Sequence, residues 1–114
     1  ELYRRATQGR LSEILGESTL PIDQRMLTLG IRAAAESEWS RVGPAARAAL
    51  TRYAEGANAV LSGLQGRARP LEFQLLGITP APWTPQDSLA VGRLLAFRLA
   101  EDEPKPRAVD PVIG

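Results

Sequence analysis

The stretch APWTPQDSLAVGRLLAFRLA, residues 81–100, carries the clearest structural signal in this chain of 114 residues. Thr84 is a residue type that caps helix N-termini, and Pro85 suits the first helical position because it has no N–H to leave unpaired. Asp87 stands where its carboxylate can accept a hydrogen bond from the backbone N–H of Thr84, as in a capping box. We therefore predict that a helix of about 15 residues begins at Pro85.

Apolar residues continue this helix until the pattern stops at Ala100. The apolar faces are formed by Leu89, Leu94 or Leu95, Phe97 and Leu99. The remainder, EDEPKPRAVDPVIG, contains three prolines and has no helical periodicity. The sequence therefore predicts a helical segment over residues 1–100 and a tail rich in proline and charge over residues 101–114.

Helical patterns also precede this stretch. The opening ELYRRATQGRLSEILG reads as a helix that Gly9 either kinks or divides in two. A long helix is predicted to begin near Asp23 and to run to Gly43, where glycine followed by Pro44 marks a stop and a restart. The helix from Pro44 has an apolar face that includes Tyr53 and Val60.

The connector that follows, residues 66–82, has either a helical or an extended core over residues 71–76. Nowhere do apolar and polar residues alternate convincingly with the period of two expected of strands. The predicted fold class is all-α, with four to five helices joined by loops.

Composition excludes several kinds of function. The chain has no cysteine and no histidine, which removes disulfides, thiol catalysis, Cys/His zinc sites and a serine–histidine relay within this chain. The net charge of +1 disfavours a nucleic-acid partner, and no run of about 20 apolar residues indicates a membrane span. The start, ELYRR, shows no signal peptide.

Four longer stretches, taken together, are specific enough to indicate a protein family. They are ELYRRATQGRLSEILG, LPIDQRMLTLGIRAAAESEW, RYAEGANAVL and LEFQLLGITPAPWTPQDSLAVGRLLAFRLA. In this order the chain resembles, over residues 1–100, the α chain of the penicillin acylase family. Within that family it is most similar to the branch of acyl-homoserine-lactone and aculeacin-type acylases.

The resemblance implies a fragment of an αββα N-terminal-nucleophile hydrolase, an amidase that cleaves the bond between an acyl group and an amine. In such enzymes the nucleophile is a serine at the start of a separate β chain, activated by its own α-amino group. The resemblance thus implies a β chain from the same precursor as partner, an acylated amine as substrate and a periplasmic or extracellular location. This chain would hold no catalytic residue and would be inactive alone. Because it lacks an initiator methionine, we expect it to be a processed chain or a cloned piece.

The resemblance also assigns residues. Leu94, Phe97 and Arg98 match the segment that lines the acyl pocket, where penicillin-selective members carry Arg-Phe and this chain carries Phe-Arg. Phe97 is also compatible with plain core packing. Glu103 is the nearest match to a glutamate that binds a structural calcium ion, and no other cofactor is implied.

Two other interpretations stay open from the sequence. The chain could be a standalone helical interaction module descended from such a fragment, without catalysis. A nucleic-acid binder that uses arginines is disfavoured because acidic residues nearly balance the basic ones. If the chain is a fragment, we expect it when isolated to expose apolar patches larger than a few hundred Å² and to self-associate.

Overall fold

A computed structural model of the chain describes residues 1–64 and 68–103. In this part of the chain the fold is all-α, as predicted, and contains no strand. The helices are α1 (Leu2–Thr7), α2 (Ser12–Leu15), α3 (Leu20–Leu29), α4 (Ile31–Trp39), α5 (Pro44–Gly63), α6 (Leu71–Leu76) and α7 (Pro85–Asp102), with a 3₁₀ turn at Glu17–Thr19. Over the same residues, the predicted number of four to five helices was too low.

Glycines explain the additional helices. The break predicted near Gly9 is confirmed, since α1 ends at Thr7 and Gly9 adopts a φ of +66°. The single long helix predicted from near Asp23 was wrong, because Gly30 also adopts a φ of +66° and separates α3 from α4. A left-handed residue cannot continue a right-handed helix, so one periodic stretch becomes two helices.

The capping box at the start of α7 is confirmed. The Thr84 hydroxyl accepts a hydrogen bond from the backbone N–H of Asp87 at 3.2 Å, and the Asp87 carboxylate accepts one from the backbone N–H of Thr84 at 2.8 Å. The helix extends two residues past Ala100 to Asp102, and Glu103, which precedes a proline, is extended. Of the predicted tail, residues 104–114 lie outside the described residues.

The core surrounds α7, which packs against α1, α4 and α5. Ala35 of α4 and Ala90 of α7 are both fully buried, and their small side chains allow the two helices to approach closely. The buried apolar cluster consists of Ala6, Leu11, Met26, Ile31, Ala35, Ala90 and Leu94. The helix predicted first from sequence is therefore the one around which the described helices assemble.

The apolar face predicted for α5 is largely exposed in the described fold. Tyr53 and Val60 are each 63% exposed, and Ala54 is the buried residue of this helix. Alanine-rich helices have weakly defined faces, and α5 meets the rest of the described fold mainly through α7. Most of its apolar surface is therefore left facing outward.

Within residues 1–64 and 68–103, no helix combines the length and the apolar character that a membrane span requires.

Gly9 lies in the turn between α1 and α2, and its replacement tests how backbone strain and a close contact affect stability. A Cβ at this position would lie 2.6 Å from Leu27 Cγ, and the φ of +66° is unfavourable for alanine. We expect Gly9→Ala to lower the free energy of unfolding by about 2 kcal/mol, because backbone strain and a close contact act together. Gly30→Ala has the same φ but no neighbour within 4 Å, so it should cost about 1 kcal/mol.

Gly56 provides the opposite control. It lies inside α5, where an added Cβ would meet nothing within 4 Å. Gly56→Ala should raise stability by about 0.5–1 kcal/mol through helix propensity. Urea unfolding would measure the free energy of unfolding of the three variants. An equal loss for Gly9→Ala and Gly30→Ala would contradict the contribution of Leu27.

Candidate ligand-binding site

An apolar cavity of about 370 Å³ lies between α1, α3 and α7. It is lined by Leu2, Tyr3, Ala6, Leu11, Leu15, Ile22, Arg25, Met26, Leu94, Phe97, Arg98 and Glu101. Its size and its mainly apolar lining, with a few charged groups, are those of small-molecule sites in proteins. Residues of α1, α3 and α7 form most of the lining, and Leu11 and Leu15, just before and within α2, complete it.

All three residues that the resemblance assigned to substrate binding, Leu94, Phe97 and Arg98, line this cavity. Leu94 is 3% exposed and also belongs to the buried core, whereas Phe97 is half-buried and Arg98 is exposed. Leu94 is therefore both a structural residue and a wall residue. The alternatives of pocket wall and core packing for Phe97 are not mutually exclusive in this arrangement.

Charged groups surround the aromatic part of the cavity. Arg25 of α3 pairs with Glu101 of α7, and its guanidinium lies 5.5 Å from the centre of the Phe97 ring. Arg98 donates a long hydrogen bond of 3.4 Å to the Tyr3 hydroxyl. The cavity thus combines apolar walls, which favour an apolar group, with arginines that can orient a polar or anionic one.

Glu103, the residue predicted to bind calcium, is exposed just after the end of α7. Calcium requires about six to eight oxygen ligands. No group of three or more potential ligand residues comes together within residues 1–64 and 68–103. The described residues alone do not fit a calcium site, and a role for Glu103 would need ligands from elsewhere in the protein.

A buried ionic cluster, which we call the Asp87 network, lies at the start of α7 and comprises Glu1, Arg4, Arg32, Thr84 and Asp87. Arg4 is 4% exposed and pairs with both Glu1 and Asp87, the latter at 3.4 Å. Arg32 of α4 pairs with the other oxygen of the Asp87 carboxylate. One carboxylate thereby joins α1, α4 and α7.

Asp87 stays ionised although it is buried. Burial acts to raise its pKa, but hydrogen bonds from Thr84 and the charge and hydrogen bond of Arg32 outweigh burial and lower the pKa below its ordinary value. Asp23 behaves similarly: burial opposes ionisation, while its hydrogen bonds with Ser12 and Leu11 lower its pKa. Both carboxylates therefore stabilise the fold as anions.

Sequence reasoning found only part of these two sites. The capping box marked Asp87, but nothing in the pair Arg4-Arg5 distinguished a buried arginine from a solvated one. Tyr3, Arg25 and Glu101 were not predicted as cavity residues either. Apolar periodicity on the first and third helices could have indicated the cavity only if the packing of α1 and α3 against α7 were known.

The described helices form a helical segment that contains a ligand-sized apolar cavity between α1, α3 and α7. The chain belongs to the penicillin amidase family, whose model matches residues 1–110. It is 37% identical to the acyl-homoserine lactone acylase QuiP of Pseudomonas aeruginosa over 97 residues, which are 85% of this chain and 11% of that protein.

Two further relatives carry the name penicillin acylase. The penicillin acylase 2 proenzyme of Pseudomonas sp. strain SE83 is 37% identical over 85% of this chain and 12% of its own length. The penicillin G acylase of Escherichia coli is 29% identical over 76% of this chain and 11% of its own length. The chain thus spans roughly one-ninth of the curated relatives it matches.

Proposed function

We propose that this chain is the α-chain portion of an amidohydrolase that cleaves the amide bond between an acyl group and an amine. In this proposal it supplies helical scaffold and part of the acyl pocket, and the catalytic serine lies on a separate β chain of the same precursor. The carrying observation is that Leu94, Phe97 and Arg98, assigned by resemblance alone, line one apolar cavity together with α1 and α3.

The chemistry of the cavity supports an acyl group as its occupant. Burying apolar surface contributes about 25 cal/mol per Å², so an acyl chain or aryl ring gains affinity from these walls without a specific polar contact. The relatives' names refer to acyl-homoserine lactones and penicillin, which are both acylated amines. We accordingly propose an acylated amine as substrate and, from the family, a periplasmic or extracellular location.

Exposed apolar side chains support the proposal of a companion chain. A second, open apolar groove between α5 and α7 is lined by Ala49, Leu50, Tyr53, Trp83, Ser88, Val91, Gly92 and Leu95. Leu75 is likewise largely exposed. Exposed apolar surface in a groove can serve as part of a subunit interface, and the name proenzyme of one relative agrees with a precursor that yields more than one chain.

The alternative is a noncatalytic helical interaction module. Purification of the full-length protein distinguishes the two proposals. The hydrolase proposal expects a complex of two chains, the second beginning with serine, that releases acid and amine from a panel of acyl amides. A single chain that copurifies with no partner and cleaves no acyl amide would support the interaction module instead.

Phe97 provides the test of the pocket. The assay compares two substrates of the full-length enzyme that differ only in their acyl group. Phe97→Ala should change the ratio of their kcat/KM values by about 10-fold to 200-fold, because one apolar wall contact is worth about 1–3 kcal/mol. Leu99→Ala is the control, since Leu99 is on the same helix, is 70% exposed and does not line the cavity. Equal effects of both variants on every acyl group would contradict a pocket role for Phe97.

A further inference from the structure

We propose that Arg4 is a positioning residue that fixes the α1 wall of the cavity against the α7 wall and thereby sets which acyl groups the cavity accepts. This inference rests on the proposed function, in which the cavity receives the acyl group. Arg4 does not line the cavity itself. Arg4 would act on the cavity through α1 and α7, whose residues line it.

The cavity has two walls whose relative placement matters. Leu2, Tyr3 and Ala6 come from α1, and Leu94, Phe97 and Arg98 come from α7. Between these walls the described side chains make one polar contact, the long hydrogen bond from Arg98 to Tyr3. Apolar packing is tolerant of small shifts, so a directional connection elsewhere is needed to fix the spacing of the walls.

Arg4 makes that directional connection. Its Nη1 donates hydrogen bonds to the backbone carbonyls of Ala81 at 3.0 Å and Pro82 at 3.2 Å, and to the Asp87 carboxylate at 3.4 Å. Its guanidinium also lies 5.3 Å from the centre of the Trp83 ring. A single side chain of α1 thus holds the segment that leads into α7 as well as the first turn of that helix.

A guanidinium is required for this geometry. Nη1 of Arg4 faces the two backbone carbonyls and the Asp87 carboxylate, while Nη2 pairs with Glu1. Lysine would keep the positive charge, but its single ammonium cannot serve both sets of acceptors in the same geometry or stack on Trp83. Leu94 follows Asp87 by about two helical turns, and a helix transmits a shift at one end to the other as a nearly rigid body. A displacement of the α7 start therefore moves Phe97 relative to Tyr3.

Arg47 supplies a matched control. Its Nη2 donates to the backbone carbonyl of Trp39 at 2.7 Å, and its guanidinium lies 4.2 Å from the centre of that tryptophan ring. It thus makes the same two kinds of contact as Arg4. It connects the start of α5 to the end of α4, however, and neither residue lines the cavity.

The experiment compares Arg4→Lys with Arg47→Lys in the full-length protein, using octanoyl and phenylacetyl amides of the same amine. We expect Arg4→Lys to change the ratio of kcat/KM between the two substrates by about tenfold, mainly through KM, because misplaced walls alter discrimination between acyl groups. Arg47→Lys should leave the ratio within about twofold of wild type. If Arg4→Lys only lowers the activity toward both substrates equally, its role is merely structural and the inference is overturned.

Binding of the free acids separates this inference from the proposed reaction. Calorimetry with octanoate and phenylacetate gives an affinity ratio that Arg4→Lys should shift and Arg47→Lys should not. If wild type binds the acids but cleaves neither amide, the proposed reaction fails while the affinity ratio still decides the role of Arg4. If wild type neither binds nor cleaves, both proposals are overturned.

A second variant covers the case in which Arg4→Lys does not fold. Asp87→Asn keeps the volume of the side chain but removes the charge that Arg4 contacts on α7. It should shift the octanoyl to phenylacetyl ratio in the same assay. An unchanged ratio in a folded Asp87→Asn enzyme would overturn the inference as firmly as an unchanged ratio in Arg4→Lys.

Discussion

Replacing Asp87 by alanine is expected to lower the free energy of unfolding by about 2–4 kcal/mol, because Arg4 and Arg32 lose the buried carboxylate that connects them to α7. Glu1 would still pair with Arg4, and Glu36 with Arg32. The same change removes the hydrogen bond that the Asp87 carboxylate accepts from the Thr84 N–H, which contributes about 1 kcal/mol, and leaves the bond to the Thr84 hydroxyl in place. Chemical denaturation of the full-length protein, followed by tryptophan fluorescence, would measure the loss.

Two controls separate charge from capping. Asp87→Asn can still accept the hydrogen bond from Thr84, so its cost should be smaller than that of alanine by about 1 kcal/mol. Asp102→Ala removes an exposed aspartate at the other end of the same helix and should change stability by less than about 0.5 kcal/mol. If Asp102→Ala were as costly as Asp87→Ala, the buried network would not be the cause.

Lowering the pH should weaken the Asp87 network. Its pKa in the folded chain lies below the ordinary value of about 3.9, so the stabilisation is complete above that value and is lost as the pH falls through the folded pKa. The difference in stability between wild type and Asp87→Asn should therefore be constant near neutrality and shrink at acid pH. A difference that grows on acidification would contradict the ionised state of Asp87.

Leu94→Ala is expected to lower the free energy of unfolding by about 2–5 kcal/mol, the range for removing a buried leucine from a core. Leu94 is 3% exposed and packs in the cluster that includes Ala6, Met26 and Ala90. Because Leu94 also lines the cavity, the variant should enlarge the binding space as well as destabilise the core. Bulkier acyl groups should then lose less activity than small ones.

The matched control for this change is on the same helix. Leu99→Ala removes the same atoms at a position that is 70% exposed, and we expect a change of less than about 0.5 kcal/mol in the described fold. In the complete protein, a large cost for Leu99→Ala would show that another chain covers this position. Thermal unfolding of both variants, with the two acyl substrates assayed in parallel, gives both results.

The start of α7 could be predicted from sequence because its signal is local. Thr84, Pro85 and Asp87 lie within four residues, and their hydrogen bonds join neighbours in the chain. The break at Gly9 was predictable for the same reason, whereas the one at Gly30 was missed. The apolar pattern continues across Gly30, and glycine inside a helix does not by itself reveal a positive φ.

The Asp87 network and the cavity could not be predicted because their contacts are distant in sequence. Arg4 and Asp87 are separated by 83 residues, and Arg32 and Asp87 by 55. Arginine is usually solvated, so its burial at position 4 depends on where α7 lies. The family resemblance supplied the cavity residues of α7, but Tyr3 and Arg25 become cavity residues only through the packing of α1 and α3.

The Asp87 network has a practical consequence for protein engineering. A common way to change the selectivity of an enzyme is to graft one recognition helix from a relative as a cassette. In this chain α7 bears Leu94 and Phe97, and the Asp87 carboxylate in its first turn pairs with Arg4 and Arg32. A chimaera that exchanges residues 81–102 should therefore keep an acidic residue at position 87, or exchange the residues at positions 4 and 32 with it, so that these ion pairs stay matched.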